Sequence, residues 1–156
     1  MDKNLFSRVN IRRENTFLPD GTASDPGKAC ALYSAKLEKL GRRDIQLLGI
    51  GNNGHIGFNE PADALSAHCF AVTLTESTIK ANSRFFASED EVPKQAMTMG
   101  MAEIFDSELI LLLCSGTAKH DVLNQAIYGP ITTKNPASLI QLHPNVVVID
   151  ATGNDN

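Results

Sequence analysis

Between Gly49 and Pro61 the chain reads Gly-Ile-Gly-Asn-Asn-Gly-His-Ile-Gly-Phe-Asn-Glu-Pro. Two side chains in this stretch can move protons near neutral pH. His55 has an imidazole that both accepts and donates in that range. Glu60, five residues on, supplies a carboxylate able to fix the imidazole tautomer and stabilise its charged form. Asn53 adds one hydrogen-bond donor and one acceptor for a substrate hydroxyl. Four glycines, at 49, 51, 54 and 57, let the backbone come close to a ligand. Two other readings compete. Gly49, Gly51 and Gly54 fit the dinucleotide spacing, but that fingerprint needs a helix to open at its glycines, and Gly57 and Pro61 interrupt one. Asn53-Gly54 also suits a two-residue hairpin turn, which gives no reason for the His, Asn, Glu and Pro that follow.

The loop follows Ile45–Ile50, an apolar run that reads as a buried strand. Loops after strand C-terminal ends line the ligand crevice of a parallel sheet. Upstream, residues 1–27 are irregular and rich in turn residues. A helix is predicted over 28–40, with Tyr33, Leu37 and Leu40 on one face, Asp25 as its cap and Gly41 beyond its end. Downstream, Cys69–Leu74 reads as a strand and Thr75–Asn82 as a short helix. Pro93 opens a mixed segment, and Ala102–Phe105 is helical. Glu108–Cys114 (ELILLLC) is the clearest strand, and its unbroken apolar run predicts burial on both faces. A helix over Ala118–Tyr128, a helix over Pro136–Leu142 and a strand over Val146–Ile149 follow, and the polar tail ATGNDN is expected to fray. Strands alternating with helices predict a single α/β domain over 1–156, with a mainly parallel, Rossmann-like sheet and flanking helices.

Composition narrows the function classes. The chain has 156 residues, 42% hydrophobic and 21% charged, with a net charge of −4. That balance argues against broad nucleic-acid or membrane-surface binding, though not against a local anion site. The three cysteines, Cys30, Cys69 and Cys114, are widely spaced and form no C-x-x-C pair, so reduced thiols in a cytoplasmic protein are expected and no metal site. No apolar stretch is long enough for a signal peptide or a membrane helix. His68, His120 and His143 have no convincing partner in sequence, and Arg12-Arg13 and Arg42-Arg43 are expected to be solvated.

The stretch GIGNNGHIGFNEP resembles the signature of the glucosamine-6-phosphate deaminase/isomerase family. The likeness continues through LFSRVNI, ANSRFF (81–86), EVPKQAMTMG (91–100) and LIQLHPN (139–145), and so covers nearly the whole chain. The FNEP ending separates it from the related 6-phosphogluconolactonases, which share the G-x-G-x-x-G-H core. The resemblance implies conversion of glucosamine 6-phosphate and water to fructose 6-phosphate and ammonia, without a cofactor. It implies His55 as the acid/base of ring opening, Glu60 as its carboxylate partner and Asn53 in the same relay. Many family members carry Asp at the Asn53 position; an amide there orients and hydrogen-bonds but cannot act as a carboxylate base. Arg84 in ANSRFF and Lys119 in GTAKH match positions that contact the substrate phosphate, one as a bidentate fork and the other as a point charge. His143 in QLHPN is expected to be structural. Phe70 and Val72 stand where regulated members carry basic residues for an allosteric sugar phosphate.

Family enzymes also carry an N-terminal half with a Gly/Thr-rich phosphate loop and the aspartate that moves the C2 proton. Residues 1–44 contain neither. The chain is therefore expected to be truncated at the N-terminus relative to that family and impaired on its own. The partners left open are a homo-oligomer and pairing with a missing N-terminal half. Three alternatives stand beside the leading reading: a galactosamine 6-phosphate substrate, a non-catalytic sugar-phosphate binding or assembly module, and a lactonase-like hydrolase.

Overall fold

The first helix begins where the sequence has a side chain to cap it. In the computed structural model, which describes residues 1–153 (the side chains of residues 77, 81, 82 and 89 excepted), Asp25 accepts a hydrogen bond from the Lys28 backbone N–H at 3.0 Å. Helix α1 (Pro26–Leu40) follows, with proline in its first turn, where no N–H is needed. Gly41 ends it at φ +79°, a conformation that disfavours any side chain. Residues 1–25 hold two short 3-10 turns, Phe6–Arg8 and Arg13–Asn15.

The remaining order is β1 (Arg43–Gly49), β2 (Phe70–Thr73), α2 (Glu76–Asn82), β3 (Gln95–Thr98), α3 (Met101–Phe105), β4 (Ser107–Ser115), α4 (His120–Tyr128) and β5 (Val146–Ala151). Strands β1, β4 and β5 form a parallel sheet in the order β1-β4-β5, and β2 pairs antiparallel with β3 in a separate ribbon. The expected α/β architecture is present. β3 is an addition, in the segment read as mixed, and Pro136–Leu142 is a 3-10 helix. The end of β5 is ordered: Ala151 pairs with Ser115, and Thr152 is buried. Residues 154–156 of the tail lie outside the described residues.

The core lies on one face of the sheet. Leu48 and Ile50, Ile110 and Leu112 and Cys114, with Val146 and Val148, pack against Leu123 and Ala126 of α4, Ile104 of α3, and Ala137 and Ile140. β4 departs from the expected double burial. Ile110, Leu112 and Cys114 are buried, whereas Leu109 and Leu111 are half-buried and Leu113 is exposed. Among the described residues the packed helices lie on the first face, so the strand's apolar run is longer than its burial.

Ties at the N-terminal end of the sheet are polar. Arg43 bonds the Glu103 backbone carbonyl and pairs with Asp106 at 3.2 Å, so it is mostly covered rather than solvated. Arg42 grips the Ser107 carbonyl at 2.7 and 3.0 Å. Buried Glu103 accepts from Ser34 of α1 and from the Gly100 backbone N–H. His143 lies within 3.0 Å of the same Ser107 carbonyl and meets Phe105 edge-on, a structural role. His120 does have partners, the Thr152 hydroxyl at 3.1 Å and the Asn124 amide at 2.9 Å. All three cysteines are free. Burial and the neighbouring Cys30 push the Cys69 thiol up to about 12, which keeps it protonated at neutral pH.

Leu112 is fully buried in the middle of the central strand. Leu112→Ala is expected to destabilise the domain by about 2–5 kcal/mol, through lost transfer energy and a residual cavity. Urea unfolding followed by circular dichroism measures this, and a loss below the Ile-to-Val range would show that β4 is not the core of the sheet.

Candidate active site

The loop after β1 is shaped by two buried side chains. Ile56 is fully buried in the core, and Asn59 is 1% exposed. The Asn59 amide donates to the Ile56 carbonyl at 3.1 Å and to the Met99 carbonyl at 2.9 Å. Residues 56 and 59 form an isolated antiparallel bridge, with Gly57 at φ +59° inside the turn. The Phe58 N–H adds a bond to the Thr98 hydroxyl at 3.1 Å. The residues one step outside this bridge are His55 and Glu60. A tight turn anchored at 56 and 59 must bring them face to face.

They meet at 3.2 Å, His55 Nδ1 to Glu60 Oε1. Asn53 completes a triangle: its Nδ2 donates to Glu60 Oε2 at 2.6 Å, and its Oδ1 lies 2.8 Å from His55 Nδ1. The amide's orientation follows from a donor that cannot reverse. The His55 backbone N–H points at Asn53 Oδ1 at 3.2 Å, so oxygen must face that side and the NH₂ must face Glu60. Nδ1 then sits between two acceptor oxygens and must carry the proton. Nε2 is left with its lone pair and no hydrogen-bond partner among the described residues. The His55 and Glu60 side chains are 28% and 22% exposed, covered enough to be held yet open to a small molecule.

Glycines make the space. A Cβ on Gly51 would fall 2.2–2.5 Å from the His55 ring atoms, so the imidazole occupies the volume that a side chain at 51 would take. Gly54, at φ +85°, lies against Asn135, whose Oδ1 would stand 2.2 Å from a Cβ there. The loop is docked onto the segment before Pro136 by the Ala137 N–H, which donates to the Gly54 carbonyl at 2.8 Å. The Asn135 amide atoms are buried without a partner among the described residues. Asn53 and Asn135 also line a polar cleft of about 280 Å³ with Ala118, Asp121, Gln125 and Lys134.

The structure thus brings His55, Glu60 and Asn53 together. It does not bring Arg84 or Lys119 into contact with them. Arg84 is exposed on the 3-10 turn Ser83–Phe85, its guanidinium 4.7 Å from the Phe85 ring centre. Lys119 ends the turn Thr117–Lys119 that leads from β4 into α4. Because β4 lies beside β1, the loops carrying Lys119 and His55 open at the same end of the sheet. Sequence reasoning missed the anchoring role of Ile56 and Asn59 and the room left by Gly51. Gly57 between them, inside an apolar-polar alternation, was the available signal.

The imidazole, carboxylate and amide thus meet on the loop after a parallel strand of an α/β sheet, at the strands' C-terminal end. The model of the family of glucosamine-6-phosphate isomerases and 6-phosphogluconolactonases matches residues 1–149, and the chain belongs to that family. Its sequence is 50% identical over 149 residues to a glucosamine-6-phosphate deaminase of Lachnoclostridium phytofermentans, covering 96% of this chain and 63% of that protein. The deaminase of Clostridioides difficile is also 50% identical, with 96% and 60% covered. A solved structure of a monomeric glucosamine-6-phosphate deaminase superposes with a TM-score of 0.89 at 43% identity, over 95% of this chain and 61% of the other. The 6-phosphogluconolactonase of Thermotoga maritima, at 19% identity and a TM-score of 0.71, shares the fold. The chain spans about three fifths of the length of the curated deaminases it matches.

Gly51→Ala is expected to displace the His55 ring while leaving the sheet intact, visible as a shift of the ring carbon–proton resonances with unchanged far-UV circular dichroism. Unchanged ring resonances would mean that the imidazole does not rest on Gly51. Gly54→Ala is expected to cost stability instead, about 1–3 kcal/mol for the forced backbone conformation alone.

Proposed function

We propose that the triad performs the proton transfers of amino-sugar phosphate deamination, in which glucosamine 6-phosphate and water become fructose 6-phosphate and ammonia. One observation carries this reading: His55 Nδ1 is committed to Asn53 and Glu60 at 2.8 and 3.2 Å, which leaves Nε2 as the nitrogen able to work. Nε2 takes the proton of the sugar's anomeric hydroxyl as the ring opens and returns it to the ring oxygen. Glu60 stabilises the transient imidazolium and holds the ring in position. Asn53 orients both groups and takes no proton.

Arg84 and Lys119 are our candidates for the substrate phosphate. In support, no ion pair among the described residues engages either, and Lys119 stands in the loop after the strand next to β1. A guanidinium offers a planar fork to phosphate, and an ammonium supplies a point charge. Free thiols are consistent with a cytoplasmic setting, which we infer.

Proton transfer at the sugar's C2 needs a further base within hydrogen-bond reach, and the triad supplies none on that side of the substrate. We assign this base to the portion of the fold that the related deaminases possess beyond the 59–63% matched here. Without it, turnover by this chain is expected to fall by about 10²–10⁴-fold.

A chimera tests the chemistry. Residues 1–149 of this chain, placed in the Lachnoclostridium deaminase in exchange for the matched stretch, are expected to release ammonia and fructose 6-phosphate from glucosamine 6-phosphate. In that chimera His55→Gln is expected to lower kcat by about 10²–10⁴-fold. Arg84→Ala and Lys119→Ala are expected to raise KM more than they lower kcat. Galactosamine 6-phosphate as the better substrate would change the sugar. Lactone hydrolysis, or a folded chimera without turnover, would overturn the deaminase reading.

A further inference from the structure

The chain leaves the Ile56–Asn59 turn in two directions, and one segment catches it on both. On the near side the Ala137 N–H donates to the Gly54 carbonyl at 2.8 Å, one residue before His55. On the far side Thr133 bonds both backbone polar groups of Ala62, two residues after Glu60. The Ala62 N–H donates to the Thr133 carbonyl at 3.2 Å, and the Thr133 hydroxyl donates to the Ala62 carbonyl at 2.7 Å. His55 therefore sits between a buried anchor at 56 and a tie at 54, and Glu60 between a buried anchor at 59 and a tie at 62. Pro61 stiffens the short link from Glu60 to its tie, because the proline ring fixes φ.

The catching segment is itself rigid. Residues 132 and 135 form an isolated antiparallel bridge, and the Asn135 N–H donates to the Thr132 carbonyl at 3.2 Å. Ser138, fully buried, closes this turn: its hydroxyl accepts from the Thr132 N–H at 2.8 Å and donates to the Thr132 carbonyl at 3.1 Å. Pro136 is buried, and Ala137 belongs to the core of the sheet. The contacts that join this segment to the loop are unequal. The Lys134–Asp63 ion pair has side chains 64% and 98% exposed, so solvent screens it. The Asn135 amide lies against Gly54 with neither polar atom partnered among the described residues, so it contributes shape and no hydrogen bond. The Gly54 tie uses backbone atoms alone. Among these contacts the Thr133 hydroxyl is the side chain whose bond to the loop is both direct and half-buried.

We infer that Thr133 is a positioning residue of the site: its hydroxyl, by holding the Ala62 carbonyl, keeps the Glu60 carboxylate within reach of His55 Nδ1 and so favours the tautomer whose Nε2 is free. The inference rests on the triad being the working site of the proposed deamination, and it adds a residue outside the triad. Glu60 meets Asn53 at 2.6 Å and His55 at 3.2 Å through a flexible side chain. With Ala62 loose, the backbone at Glu60 is fixed at one end alone, and the carboxylate gains room to swing toward solvent. Nδ1 then loses one of its two acceptors, and the balance between tautomers moves toward a proton on Nε2.

Ring-nitrogen NMR on the full 156-residue chain, labelled at its histidines and held at a pH that keeps the imidazoles neutral, reads the tautomer directly. His55→Gln identifies the His55 signals by removing them. The unsubstituted ring is expected to carry its proton on Nδ1. Thr133→Val keeps the volume and the β-branch but loses the hydroxyl, and is expected to raise the ratio of the Nε2–H to the Nδ1–H form about fivefold or more, the scale of one lost hydrogen bond. Thr133→Ser is expected to restore the ratio, since its hydroxyl reaches the same carbonyl, and Lys134→Ala to leave it unchanged. Far-UV circular dichroism and urea unfolding show whether each variant is folded. If the valine variant is not, Thr133→Ala removes the same hydroxyl with a smaller side chain and is read in its place. In the chimera, Thr133→Val is expected to lower kcat about three- to tenfold with KM little changed, the opposite split from Arg84→Ala. An unsubstituted ring protonated on Nε2, an unmoved ratio in the folded variant without the hydroxyl, a shift that serine does not reverse, or an equal shift in Lys134→Ala would each overturn the proposal. A shifted ratio in the chain beside a chimera that deaminates nothing would sink the chemistry and leave Thr133 its role. An active chimera indifferent to Thr133→Val would do the reverse.

Discussion

The site depends on one pair of buried anchors. Ile56 places its side chain in the core, and three residues later Asn59 spends its amide hydrogens on two backbone carbonyls, those of Ile56 and Met99. Releasing either anchor would expose an apolar side chain or strand a buried amide, and both outcomes cost several times the thermal energy. The turn between them is therefore a fixed point in an otherwise irregular loop. His55 and Glu60 leave it from opposite sides, so the anchors set the two backbones within reach of the 3.2 Å contact between their side chains. The weak forces of the site, three hydrogen bonds among partly exposed groups, select the tautomer. They do not have to build the loop.

The same asymmetry organises the whole domain. The core packs on one face of a three-stranded parallel sheet, and the polar ties of Arg42, Arg43 and Glu103 close the N-terminal end of that sheet. Loops at the other end are free to carry function. Polar structural ties and the proposed site thus lie at opposite ends of the strands, so His143 and His55, both histidines beside loops, have unrelated surroundings. His143 faces the Ser107 carbonyl under the sheet, and His55 faces solvent above it.

Much of this was legible in the amino-acid sequence. Helix α1 announced itself through an Asp25 cap and a Gly41 stop, because capping chemistry is local. The loop announced itself through residue types that no turn requires. The face of β4 was not legible: an unbroken apolar run looks the same whether its second face is covered by the same chain or by another. β3 was missed because four residues with polar ends, Gln95–Thr98, carry too little alternation to be distinguished from a turn. Of the two partners of His120, Asn124 lies one turn on along α4, but Thr152 is thirty-two residues away, just past the end of β5, a contact created only when the chain folds. The phosphate candidates stand on a different footing from the triad. Arg84 and Lys119 came from matching motifs, and motif spacing says nothing about how far a flexible cation must reach.

The amide at position 53 makes this version of the site self-consistent. Its oxygen faces two donors of His55, the backbone N–H and the ring Nδ1–H, and its nitrogen faces the carboxylate of Glu60. Only an amide has both polarities. A carboxylate in the same place would set two anionic oxygens at the 2.6 Å that now separates Nδ2 from Glu60. Like charges at that range cannot both persist, so one of the two acids would have to hold a proton. An aspartate there would therefore store an exchangeable proton within the relay, whereas asparagine stores none. With Asn53, the proposed relay leaves the imidazole as the group of the triad that shuttles a proton. In that reading the transfers pass through Nε2, the nitrogen that the surrounding hydrogen bonds leave unused.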